Sequence, residues 1–349
     1  MAGLSGLSKL YGAGVRVRNA AYDRRMLPIQ APDCAVISVG NLTVGGSGKT
    51  PCVAWLAARL QGWGKHVGIL SRGYGGSRAD YFVRFHHQLE ISRFDGSPVE
   101  EPADEPRLLA RQLEGVPIVV AADRAAGAEL AIGRFGCDTL ILDDGFQHRR
   151  VSRNCDIVIV PAEMPLGGNA LLPRGPMREP IRSLRRADIV MLAHSDTAID
   201  KISVWREHVR LLNPKALFVS AAHEPTEIIA VPDGEKHCTT ALAKRRVLAL
   251  SSIGDPKGFE ATLQKLRAAV AAHMDFPDHH PYGAKDWDAV RERVLRLRPD
   301  AVVTTEKDWM RLEPFVVQAG YFPFPLWVLR VRWRILSGEE KLDARLAGL

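Results

Sequence analysis

The run from residue 34 to 61 constrains this chain more than any other. Cys34–Val39 is apolar and β-branched, and Thr50–Gln61 is helical in pattern; between them lies Gly40-Asn41-Leu42-Thr43-Val44-Gly45-Gly46-Ser47-Gly48-Lys49-Thr50. Strand, glycine-rich loop and helix form the context in which a terminal Gly-Lys-Thr holds phosphate. The glycines let backbone N–H groups turn toward an anion, and the helix presents its positive N-terminus to the same place. On this reading Thr43, Val44, Gly45, Gly46, Ser47, Gly48, Lys49 and Thr50 cradle the phosphates of a nucleotide. Lys49 reaches the β- and γ-phosphates, and the Thr50 hydroxyl ligates magnesium. Pro51 falls at an early helical position, where its missing N–H costs little. Thr43 stands where the general pattern begins with Gly.

The chain around this loop alternates. Val67–Leu70, Pro117–Ala121, Thr139–Leu142, Asp156–Val160 and Asp188–Leu192 read as buried strands, with helical stretches at Asp104–Leu113 and Arg124–Phe135. Such alternation implies α/β architecture, a P-loop NTPase-like parallel sheet covered on both faces. Residues 77–100 break the rhythm and read as a hairpin insertion. A second α/β segment follows: strand Arg246–Leu250, helix Pro256–Ala272, helix Trp287–Leu297 and strand Ala301–Thr304. Leu217–Ala222 and Leu326–Ile335 have the character of exposed ribbon strands that join two domains. At 349 residues the chain exceeds what one core usually supports. The expected division is 1–30, a basic amphipathic segment; 31–215, the P-loop domain; and 216–349, a smaller α/β domain with linker strands.

In residues 1–30, Leu4, Leu7, Tyr11, Val15, Tyr22 and Met26 recur at helical spacings among Lys9, Arg16, Arg18, Arg24 and Arg25. Two readings fit: a helix lying on an anionic membrane surface, or one docked on the first domain. No run of 18 apolar residues reads as a membrane span, and no continuous apolar stretch near the N-terminus reads as a secretory signal. Five cysteines, odd in number and without CxxC spacing, argue against a disulfide framework or structural zinc.

Four features bear on chemistry. Thr139–Leu142 ends in Asp143-Asp144, where a P-loop enzyme needs an acid for magnesium; turn-forming Asp is the plainer alternative. Ala103-Asp104-Glu105-Pro106 opens a helix, so Asp104 is either its N-cap or a carboxylate that takes a proton from an acceptor hydroxyl. Phe276-Pro277-Asp278-His279-His280 offers a histidine to catalysis or substrate. Gly145–Val190 adds eight arginines and no lysine, suited to an anionic acceptor or to local ion pairs.

Taken together, these residues resemble the tetraacyldisaccharide 4′-kinase family of lipid A biosynthesis. The resemblance runs from about residue 10 to 335. It is carried by Gly40–Pro51, Ser71-Arg72-Gly73-Tyr74-Gly75, Asp104-Glu105-Pro106, Asp143–Arg149, Leu172-Pro173-Arg174-Gly175-Pro176, Phe276–His280 and Thr305-Glu306-Lys307-Asp308. It implies transfer of the γ-phosphate of ATP, with Mg2+, to the 4′-hydroxyl of a lipid A disaccharide 1-phosphate. It also implies Asp104 as base supported by His279, Lys49 and Asp144 in the catalytic set, and Thr50 and Asp143 at the metal. Peripheral attachment to the anionic cytoplasmic face of the inner membrane is part of the same expectation, with no nucleic acid and no obligate protein partner. Ser251-Ser252-Ile253-Gly254-Asp255-Pro256 departs from the family's Ala-Gly-Ile-Gly-Asn-Pro. The competing class is a P-loop switch or insertion factor without a small acceptor; a guanine-reading Asn-Lys-x-Asp is missing from the sequence, and Thr305-Glu306-Lys307-Asp308 lacks its Asn.

Overall fold

The computed structural model describes residues 2–46, 48–72, 80–99, 102–165, 170–319 and 324–349. The chain forms two compact units, Met1–His223 with Trp333–Leu349, and Glu224–Arg332.

The first unit opens with α1 (Ala2–Asp23) and continues through β1 (Ala35–Asn41), α2 (Lys49–Gly62), β2 (Val67–Ser71), β3 (Tyr81–His86), β4 (Gln88–Arg93), α3 (Asp104–Gln112), β5 (Ile118–Val120), α4 (Arg124–Phe135), β6 (Thr139–Asp143), β7 (Cys155–Pro161), β8 (Ile189–Ala193) and α5 (Ile199–Leu212). β9 (Leu217–Val231) then carries the chain into the second unit, which adds β10 (Glu235–Cys238), β11 (Arg246–Ser251), α6 (Pro256–Lys265), β12 (Ala269–Asp275), α7 (Ala284–Leu297), β13 (Ala301–Thr305) and α8 (Glu306–Ala319). β14 (Leu326–Ser337) returns it to the first unit, where α9 (Glu339–Ala347) closes the chain.

In the first unit the strand order is β9-β8-β7-β1-β6-β2-β5-β3-β4. Pairing is parallel from β9 to β5, and the β3–β4 hairpin adds antiparallel to β5. Period-two alternation sends neighbouring side chains to opposite faces. Ile37, Ile69 and Ile141 meet Leu56 and Leu60 of α2, Leu109 of α3, and Leu342 and Leu346 of α9. On the other face Val36, Leu70 and Leu140 meet Ala125, Ala128 and Ala131 of α4, while Val158 and Val190 meet Trp205 and Val209 of α5. Both faces are buried, so these strands read as unbroken apolar runs. In the second unit Val247, Ala249 and Val303 pack with Phe259 and Leu263 of α6.

One sequence expectation is corrected. Pro256–Ala272 is not a single helix. It ends at Lys265, Arg267 takes a left-handed φ of 61°, and Ala269–Asp275 becomes β12, paired parallel with β11. Alanine-rich sequence favours helix locally, but the open edge of β11 supplies pairing partners that override propensity.

The N-terminal helix docks on the first unit through Ser8, Gly12 and Val15, of which the apolar spacing marked only Val15. Ser8 Oγ donates to the Leu171 carbonyl at 2.8 Å. A Cβ on Gly12 would stand 2.7 Å from Leu171 Cδ1, so a larger residue here would displace that side chain. Val15 is buried on the same side. Arg18 and Asn19 reach the buried carboxylate of Glu179. Leu4, Leu7, Leu10 and Val17 are left exposed. Among the described residues no helix is long and apolar enough to cross a membrane.

Candidate active site

The phosphate loop leaves β1 at Asn41 and enters α2 at Lys49. Gly45 and Gly48 have φ of 99° and 79°, left-handed backbone that glycine adopts without cost. Gly48 is the N-cap of α2 and has no capping side chain, so the helix start keeps its N–H groups for a ligand. The loop's entry is held from outside: Val44 N–H donates to the Pro176 carbonyl and Arg178 N–H to the Leu42 carbonyl, at 2.8 and 2.7 Å. Ser47 lies outside the described residues.

The acid turn follows β6. Gly40 lets it close, since a Cβ there would come within 2.6 Å of Phe146, and Gly145 N–H bonds the Val39 carbonyl. Asp144 adopts a left-handed φ of 53°, a conformation that Asp tolerates better than most residues other than glycine. Its carboxylate is 3.5 Å from Lys49 Nζ and 2.6 Å from Arg178. Burial alone would raise its pKa, but Lys49 and Arg178 hold it below the ordinary value.

Asp143 behaves oppositely. It is buried, and burial together with the charges of Glu105 and Asp144 pushes its carboxyl up to about 7. Ser71 Oγ donates to it at 3.3 Å, and Arg124 bonds its backbone carbonyl. Two neighbouring carboxyls are thus driven apart in acidity by their surroundings. Asp143 and the hydroxyls of Ser71 and Thr50 are oxygen donors. A divalent cation suits such a set and restores the charge that burial suppresses on Asp143. The residues present therefore fit magnesium.

Asp104 is the first helical residue of α3, one place inside the N-cap, which is Ala103. Its Oδ1 accepts from Glu105 N–H at 2.9 Å. The fully buried Tyr81 fixes this start, its hydroxyl accepting Ala103 N–H at 2.8 Å. The influence of Glu105 on Asp143 brings the beginning of α3 into the field of the acid pair.

His279 belongs to the second unit, where it has a left-handed φ of 61°. Lys307 Nζ donates to its Nε2 at 3.1 Å and lies 3.5 Å from Asp278. The loop hangs on Ser251 and Ser252, whose carbonyls accept Phe276 N–H and His279 N–H. Beneath it sits Asp308, fully buried. Asp308 accepts from Ser252 N–H and Oγ, Tyr282 hydroxyl, Thr305 Oγ1 and Arg311.

The first unit thus gathers Lys49, Thr50, Asp143 and Asp144 around one loop. The sequence grouped Arg178 with seven other arginines, marked Ser71 and Asp308 only as members of motifs, and gave no sign of Tyr81. Of the eight arginines, Arg149, Arg150, Arg153, Arg178 and Arg186 pair with carboxylates in this unit. Of the Ser71–Gly75 motif, only Ser71 and Arg72 lie among the described residues.

A parallel sheet, a glycine-built phosphate cradle and an acid pair beside its lysine define a P-loop phosphotransferase. The sequence profile of the tetraacyldisaccharide-1-P 4′-kinase family matches residues 2–349. The tetraacyldisaccharide 4′-kinase of Anaeromyxobacter dehalogenans strain 2CP-C is 43% identical over 97% of this chain and 87% of its own. That of Syntrophus aciditrophicus is 39% identical over 88% and 83%. The crystal structure of LpxK from Aquifex aeolicus in complex with ATP superposes with a TM-score of 0.75, 31% identity, and coverage of 99% of this chain and 98% of that one. The chain belongs to the tetraacyldisaccharide 4′-kinase family and is a kinase.

Proposed function

We propose that this chain transfers the γ-phosphate of ATP to the 4′-hydroxyl of a tetraacyl disaccharide 1-phosphate, with the following division of labour. The observation that carries it is the convergence of Lys49 and Arg178 on Asp144 beside the loop. The loop N–H groups and the α2 N-terminus bind the phosphates, and Lys49 follows the charge on the transferring group. Asp144 keeps Lys49 and Arg178 aimed at that place. Magnesium would be held by Thr50 and Asp143, and it supplies charge neutralisation on the phosphates. Asp104 orients the acceptor hydroxyl and takes its proton late, since phosphoryl transfer depends mainly on positioning and charge. His279 supports that base. Its contact with Lys307 is the observation in favour of an ionic role for the loop.

The chain acts from the surface of the anionic inner membrane on its cytoplasmic side. The exposed Leu4, Leu7, Leu10 and Val17 of α1, with Lys9 and Arg16 on the same helix, support this. A lipid substrate fits an enzyme that works at that surface.

Radiolabelled ATP, incubated with the disaccharide 1-phosphate in detergent micelles, is expected to yield labelled lipid. Release of inorganic phosphate without labelled lipid would favour the switch reading and end this one. In the same assay Asp104→Ala should lower kcat by about 10³-fold, the scale of general-base catalysis, with ATP binding unchanged. Near-wild-type turnover removes Asp104 as base.

A further inference from the structure

We propose that His223, flanked by His194 and Trp333, contacts the nucleoside end of the nucleotide whose phosphates the loop holds. The proposal rests on the loop being an ATP site and adds the part of the ligand that the phosphate motif does not address.

The three rings lie in the first unit and form one cluster. His194 and His223 have centroids 4.5 Å apart at 69°, and His223 and Trp333 are 5.1 Å apart at 70°. His223 abuts the loop itself: a Cβ on Gly48 would meet its Cε1 and Nε2 at 2.4 Å. The ring edge therefore fills the position a Gly48 side chain would take. Its Nε2 is buried with no hydrogen-bond partner, an arrangement that costs free energy unless a ligand completes it. Burial and the neighbouring His194 push the ring's pKa down to about 3, so it stays neutral and free to pair with an uncharged group.

Topology says which end of the ligand this is. The acid turn follows β6, which lies on one side of β1. His194 follows β8 and His223 sits on β9, on the other side of β1 beyond β7. In open parallel sheets ligands bind outside the carboxyl ends of the strands. Lys49 and Asp144 fix the transferring-phosphate end toward β6. The nucleoside must then trail toward β8 and β9, where the rings are. A flat base matches aromatic surface, and base or ribose offers a polar atom to Nε2.

Calorimetric titration of the full chain with ADP and with inorganic tripolyphosphate separates the roles. His223→Ala should weaken ADP by roughly tenfold, the scale of one base–aromatic contact. Tripolyphosphate should stay within about twofold of wild type, because it lacks a nucleoside. His223→Phe, which keeps a ring but removes Nε2, should weaken ADP by about threefold and serves alone should the alanine variant fail to fold. Equal weakening of both ligands would show that His223 merely braces the loop, and unchanged ADP binding would show no contact; either overturns the proposal. Wild-type chain that binds tripolyphosphate but not ADP also overturns it. Wild-type chain that binds neither removes the ATP reading beneath it.

Discussion

Two loops carry the candidate chemistry, and they are built in different ways. The acid turn from Asp143 to His148 is assembled within a short stretch of chain. It runs straight out of a buried strand, closes on Gly40 and Gly145, and finds its counter-charges in Lys49 and Arg178. The histidine loop from Phe276 to Tyr282 leaves β12, a strand at the sheet edge that is only partly buried. It is hung from Ser251 and Ser252 and held by the buried carboxylate of Asp308, from a different helix. The first loop depends on local backbone geometry, the second on one distant side chain. Substitutions should therefore damage the two in different currencies: catalysis without stability in one, and stability with catalysis in the other.

The largest effect is expected at the first loop. Lys49→Ala removes the cation between phosphate and Asp144, and kcat/KM should fall by about 10³-fold, the scale of losing one oriented electrostatic contact in a closed site. Lys49 is partly exposed and its pair with Asp144 is long, so the melting temperature should hardly move. A large drop in melting temperature, with activity lost in proportion, would break the contrast between the two loops.

Asp308→Asn should show the reverse pattern. The fully buried carboxylate serves four groups besides Arg311, and an amide cannot balance that guanidinium. Breaking a buried pair costs about 3 kcal/mol, and denaturant unfolding should show it in the transition that contains the second unit. With the loop loosened, kcat should fall about tenfold, the lower end of what misplaced acid–base support costs, while KM for ATP stays put. Wild-type stability in this variant would mean that Asp308 does not hold the loop.

The same contrast explains what could be read in advance. The parallel sheet, the phosphate loop and the Asp-Asp strand end are contiguous in sequence, and their apolar runs and glycines state the geometry directly. Arg178 and Asp308 were not legible as site residues, because their partners lie 34 and 56 residues away and no local pattern marks a side chain for a distant carboxylate. The docking face of α1 was legible only at Val15, which lies in the apolar spacing; Ser8 and Gly12, where the helix meets Leu171, carry no apolar signal. At Ala269–Asp275 a helical composition yielded to an unsatisfied strand edge.

The smallest expected effect concerns His148, at the end of the acid turn. Burial and the charges of Arg124, Arg153 and Arg72 push its pKa down to about 4, and its buried Nε2 has no hydrogen-bond partner. An unfolded histidine titrates near 6.5. Between 6.5 and 4 the unfolded chain therefore binds a proton that the folded chain refuses, and stability must fall as pH falls through that window. The loss is modest, since the ring is only half-buried. His148→Asn removes the titration, so its melting temperature should decline less than wild type between pH 7 and pH 5, by roughly 2–4 °C. Parallel melting curves for the two proteins across that range would mean that the arginines around the acid turn do not act on His148, and that the turn is held by its backbone alone.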